Sequence, residues 1–90
     1  MIIYDNNKAK LLKTESNIDI DEIVEIISER KYIDILEHPK REGQQIFILS
    51  YKNYIQVVPF VIDEDENIII KTVFPSRKFH KIYKERKNEK

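Results

Sequence analysis

His38 and His80 are the only imidazoles in the chain, and each lies in a run of cations beside a proline. The two runs are Glu37-His38-Pro39-Lys40-Arg41 and Pro75-Ser76-Arg77-Lys78-Phe79-His80. Side chains of these types suit metal-free cleavage of RNA. A base takes the 2′-hydroxyl proton, an acid protonates the leaving 5′-oxygen, and cations stabilise the charge that gathers on phosphorus. The planar fork of Arg77 suits the phosphate role. Tyr51, Tyr54 and Tyr83 are aromatics that stack on splayed bases in such a scheme. Each residue also has a plain structural role open to it. His38 before Pro39 can close a strand end through a backbone hydrogen bond, His80 can be exposed on a basic helix, and Tyr83 at helical spacing from Phe79 can be core. Arg77 at a helix start opposes the helix dipole, which hints at another reason for its presence.

Other chemistries lack their residues. There is no cysteine, and therefore no disulfide, thiolate zinc site or cysteine nucleophile. The two histidines do not fall in an H-x-x-H or H-E-x-x-H spacing. Asp63-Glu64-Asp65-Glu66 offers oxygen ligands but not the glycine and later glutamate of a calcium loop, so it reads as a solvated hairpin tip. One glycine cannot build a phosphate cradle. Ser16, Ser28, Ser50 and Ser76 have no nucleophile signature around them. No metal or other cofactor is expected.

Sixteen basic residues balance sixteen acidic ones, so the formal charge is zero and a protein that coats nucleic acid through bulk positive charge is disfavoured. The charge is segregated, however. Residues 14–38 hold eight acids and two bases, and residues 76–90 hold seven bases and two acids. That asymmetry points to a polyanion contact at the C-terminal end, with a solvated helix and a charged tail over about 84–90 as the plainer account. A hydrophobic content of 41% and a charged content of 36% suit a soluble globular chain. The longest apolar runs are only a few residues, too short for a membrane span, and no secretory pattern follows Met1, so a cytoplasmic location is expected.

The elements that position these residues follow from periodicity. Ile2 to Tyr4 is a short strand candidate, and Asp5 has capping chemistry for a helix from Asn6 to about Lys13. Asp19 with Glu22 has capping-box spacing, and Ile20, Ile23, Val24 and Ile27 form one apolar stripe of a helix over about 20–29. Strands are predicted at 32–36, 45–51, 54–62 and 67–74, with hairpin links at Lys52-Asn53 and at 63–66. Ile46 to Leu49 is apolar on both faces, so both faces of the sheet are expected to be covered. Pro59 marks a bulge or an edge-facing position. Ser76 caps a final helix whose apolar side is Phe79, Ile82 and Tyr83. The expected fold is a small single α+β domain over 1–90, an antiparallel meander with N-terminal helices and a C-terminal helix.

Four stretches in order carry a family resemblance. They are Asn17 to Ile27, Asp34 to Pro39, Tyr54 to Asp63 and Lys71 to Lys78, followed by Tyr83. Together they resemble the BrnT family, the small toxins of bacterial type II toxin–antitoxin modules, across about three quarters of the chain. The resemblance implies a RelE-like fold and a metal-independent ribonuclease that inhibits translation. It also implies neutralisation by a cognate antitoxin, often of the ribbon-helix-helix type. Arg77 falls on the family's arginine after the last strand, Lys13 on its lysine at the end of the first helix, and His38 within the Glu-His-Pro of one branch. On that footing Arg77, His38 and His80 are the catalytic candidates, and Lys13, Lys71, Lys78 and Tyr83 the RNA-binding ones. The chain departs from the pattern at Thr14, at Gln44-Gln45, and in a shorter stretch between Arg77 and Tyr83. A catalytically inactive toxin-fold module that pairs with an antitoxin is the alternative, and a standalone dimer without nucleic acid a third. The sequence leaves oligomeric state open.

Overall fold

The computed structural model describes residues 1–88, with side chains to Tyr83, so the side chains of the expected basic tail over 84–90 lie outside the described residues. Two helices come first. Helix α1, Asn6–Ser16, starts where Asp5 Oδ1 accepts the N–H groups of Asn7 and Lys8 at 2.7 and 3.3 Å. It stops at Asn17, whose φ of 54° is the left-handed conformation that ends helices. Helix α2, Ile20–Ser28, buries Ile20, Ile23 and Ile27, the stripe expected from their spacing. Its cap differs in detail from a capping box. Asp19 Oδ1 accepts from Asp21 N–H, while the Glu22 carboxylate receives the Tyr51 hydroxyl at 2.9 Å. Glu22 therefore ties α2 to the sheet.

Strands β1 (Ile2–Ile3), β2 (Asp34–Glu37), β3 (Gln45–Tyr51), β4 (Tyr54–Ile62), β5 (Ile68–Ile70) and β6 (Phe74–Pro75) form one sheet, and helix α3, Arg77–Asn88, follows. The strand order is β1-β5-β4-β3-β2, with β6 also paired to β4. The fold is α+β, and the sheet is mixed: the meander is antiparallel, but β1 joins β5 in parallel. Lys52 and Asn53 both have positive φ, 52° and 64°, the turn that suits a two-residue hairpin between β3 and β4.

The strand predicted over 67–74 is broken into β5 and β6, which pair with opposite ends of β4. Pro59 lies at the break. Its carbonyl accepts from Lys71 N–H at 2.8 Å on that side, and a residue's N–H and C=O point the same way along a strand. The donor that proline lacks therefore falls where the neighbouring ladder is interrupted.

Alternating residues of β3 and β4 feed two cores. Phe47, Leu49, Val58 and Phe60 pack against α2 with Ile70 and Val73, and Phe47 stacks on Phe60 at 4.1 Å. On the opposite face Ile46, Ile48, Ile55 and Val57 carry Phe79 and Tyr83 of α3. The sheet is thus covered on both faces, as the doubly apolar run 46–49 demands. No helix among the described residues is long and apolar enough to cross a membrane.

Two features yield predictions. Gln56 is buried between its cross-strand partners Leu49 and Pro75, and its Oε1 has no hydrogen-bond partner among the described residues. Replacing an unsatisfied buried acceptor with a hydrocarbon of similar size removes a desolvation cost. Gln56→Leu is expected to raise unfolding free energy by about 1 kcal/mol, and chemical denaturation checks it; a less stable variant contradicts it. The β4–β5 turn, in turn, is organised by Asp63. Its carboxylate accepts from the N–H groups of Asn67 and Asp65 and from the Asn67 amide. The Asn67 backbone donor is the main reason that its pKa lies below the usual carboxylate value. A depressed pKa means that the ionised form stabilises the fold above the ordinary value, and that this contribution is lost as pH falls through the depressed one. Amide-exchange protection at Asn67 is expected to drop over that acidic window and to stay flat across neutral pH. Unchanged protection after acidification, or Asp63→Asn with wild-type protection, contradicts the assignment.

Candidate nucleic-acid interface

Helix α3 begins with Ser76. The Ser76 Oγ accepts Phe79 N–H at 3.2 Å and its carbonyl accepts His80 N–H at 2.9 Å. Ser76 N–H in turn donates to Ile55 O at 3.1 Å, which fixes the helix start to β4. Phe79 points down onto Ile46, Ile48, Ile55 and Val57, leaving Arg77 and Lys78 exposed on the first turn. The N-terminus of a helix carries partial positive charge and unused N–H groups. Two exposed cations there add to that field rather than balance it.

His80 turns back toward the strand. Its ring stacks on Tyr54 with centroids 4.1 Å apart and planes 6° from parallel, and its Nδ1 accepts Ile55 N–H at 3.3 Å. An Nδ1 that accepts from an N–H leaves the ring proton on Nε2. His80 is therefore a half-buried, oriented hydrogen-bond donor one turn from Arg77, where the sequence left an exposed residue open.

His38 has a different place and job. It follows β2, and its Nδ1 accepts the N–H groups of Lys40 and Arg41, each at 3.1 Å. That closes the turn after the strand, the structural role its position before Pro39 allowed. His38 N–H pairs with Gln44 O at the start of β3, whereas His80 bonds to Ile55, the partner of Ser50 near the end of β3. The six-residue separation from Gln44 to Ser50 is about 20 Å along the strand. The two imidazoles cannot meet at one phosphate in this arrangement.

The remaining candidates are dispersed. Lys13 lies in the last turn of α1, 4.0 Å from Asp19 across an exposed gap, where an ion pair contributes little. Lys71 is exposed between β5 and β6, and its carbonyl accepts from the Lys8 ammonium at 2.9 Å. Tyr83 packs with the α3 core and donates its hydroxyl to Asp34 Oδ2 at 3.1 Å, so it anchors α3 to β2. Tyr51 is buried, with its hydroxyl bonded to Glu22 and Asp19. Of the three tyrosines considered for stacking, Tyr54 alone lies beside the cationic turn. Its pairing with His80 had no sequence signal, because the two are brought together only when α3 folds over the sheet.

Among the described residues, no three His, Asp or Glu side chains come together as a metal site. The start of α3 thus carries exposed Arg77 and Lys78 one turn from the stacked pair of His80 and Tyr54, residue types that suit an anion beside a flat ring. No protein-family model, curated protein or solved structure matches the chain.

Proposed function

We propose that this chain is an RNA-directed toxin of a type II toxin–antitoxin module, acting in the cytoplasm, and that it contacts an RNA phosphate through the first turn of α3. The observation that carries the reading is Arg77 and Lys78 on a capped helix start, one turn from a stacked His80 that presents Nε2–H. In this reading the protein is a metal-independent ribonuclease. The 2′-oxygen bonds to phosphorus while the bond to the 5′-oxygen breaks, giving a cyclic 2′,3′-phosphate and a 5′-hydroxyl end. Arg77 and Lys78 neutralise the charge added to the phosphoryl oxygens. His80 Nε2–H donates to an oxygen of the same phosphate. The 2′-hydroxyl proton passes to solvent, since neither imidazole offers an open acceptor at this turn, and the departing 5′-oxygen takes its proton from solvent water.

That last point favours a second reading. Both histidines accept backbone N–H groups at Nδ1, and they lie at opposite ends of β3. A binding module that engages RNA and an antitoxin without cutting fits the same surface. Incubating purified protein with RNA in the presence of EDTA separates the two. Cyclic-phosphate products that persist in EDTA support the ribonuclease, and intact RNA in a protein-bound complex supports the module. RNA that is neither cut nor bound removes both.

A further inference from the structure

We propose that strand β6 extends this site into a track for single-stranded RNA, with Phe74 as a base-stacking platform. The inference rests on the RNA-directed reading above and adds to it a residue and a strandedness.

Phe74 is 44% exposed, although its cross-strand partner Val57 is buried. Directly paired residues lie on one face of a sheet, so Phe74 shares the face that α3 covers, outside the part that α3 shields. Among the described residues strand β6 pairs with β4 alone, so no further strand lies on its outer side. Single exposed apolar residues are ordinary on protein surfaces. The neighbours distinguish this one. Lys71 precedes it by three residues and Arg77 follows by three, both exposed, and Lys78 comes next. The Lys8 ammonium is held at the same edge by the Lys71 carbonyl. The other large hydrophobic residues exposed among the described ones, such as Leu11, Ile33, Ile62 and Ile82, have no π-face.

An aromatic platform between cations is the arrangement that single-stranded nucleic acids use: bases stack while the backbone follows positive charge. From Lys71 to Arg77 the chain spans at most about 20 Å, a length that a few nucleotides cover. A paired duplex keeps its bases stacked inside and offers no π-face to Phe74, so the ligand is single-stranded.

The test uses the full chain and a fluorescein-labelled 2′-O-methyl oligoribonucleotide of about eight residues, which lacks the free 2′-hydroxyl needed for cleavage. Wild type is expected to bind it. Phe74→Ser is expected to bind about 5- to 100-fold more weakly with an unchanged salt slope, and Phe74→Tyr to bind like wild type. Phe74→Leu is expected to be as weak as Phe74→Ser. Arg77→Ala is expected to reduce the salt slope by about one. Wild-type affinity in Phe74→Ser, with Arg77→Ala impaired, overturns the stacking role and leaves the RNA reading intact. Full affinity in Phe74→Leu overturns it as well, since an aliphatic contact then suffices. Failure of wild type to bind the single strand, at low salt, overturns both.

Discussion

Arg77→Ala is expected to lower RNA cleavage about 100- to 1,000-fold and to relieve growth arrest on expression, while the protein remains folded. The magnitude comes from removing one fixed donor aimed at developing negative charge. The unchanged fold comes from position. Arg77 is exposed on the first turn, and neither the Ser76 cap nor the apolar contacts of Phe79 involve its side chain. Removing a cation from a helix N-terminus also relieves an unfavourable dipole interaction, so thermal stability is expected to stay level or rise slightly. Arg77→Lys keeps the charge and loses the planar fork, and intermediate activity is expected of it. An Arg77→Ala protein that cleaves and arrests growth as wild type does contradicts the assignment.

Ile48→Ala carries the largest expected effect on stability. Ile48 has no exposed surface and lies in the core that seats Phe79 and Tyr83. Truncation removes buried hydrocarbon and leaves a cavity, a loss of about 2–5 kcal/mol. A domain of this size holds only about 5–15 kcal/mol in total, so a large share of the molecules is expected to unfold on mild heating. Leu49 provides the contrast. It is equally buried, but on the α2 face. Leu49→Ala is expected to cost a similar amount globally. Only Ile48→Ala is expected to loosen α3 while the chain is still folded, seen as exchange broadening at Phe79 and His80 before broadening at Ile23. Equal broadening of both regions in both variants contradicts the division into two cores.

Local patterns made much of this fold legible. The stripe of Ile20, Ile23 and Ile27 located α2, the doubly apolar run 46–49 required cover on both faces, and Ser76 marked the start of α3. Features set by distant pairings were hidden. Ile2 to Tyr4 marks the short β1, but nothing local says that it pairs in parallel with β5, which is placed only once β4 is in position. The break between β5 and β6 depends on the register of Pro59 against Lys71, although Pro59 itself signalled an irregularity. The candidate site divides in the same way. Its cations and cap could be read from consecutive residues, because one helical turn gathers them. The separation of His38 from His80 could not, since it depends on which ends of β3 they meet. Local pattern places Phe74 only within a longer strand, and its exposure follows from the break between β5 and β6.

Contact between RNA and the first turn of α3 can be read residue by residue from NMR titration of isotope-labelled protein with the non-cleavable single strand. Amide and side-chain shifts are expected to concentrate at Tyr54, Phe74, Arg77, Lys78 and His80, with His38 and Lys13 unmoved. Shifts that instead centre on His38 to Arg41 or on α1, or a spectrum that RNA leaves unchanged, would contradict that contact.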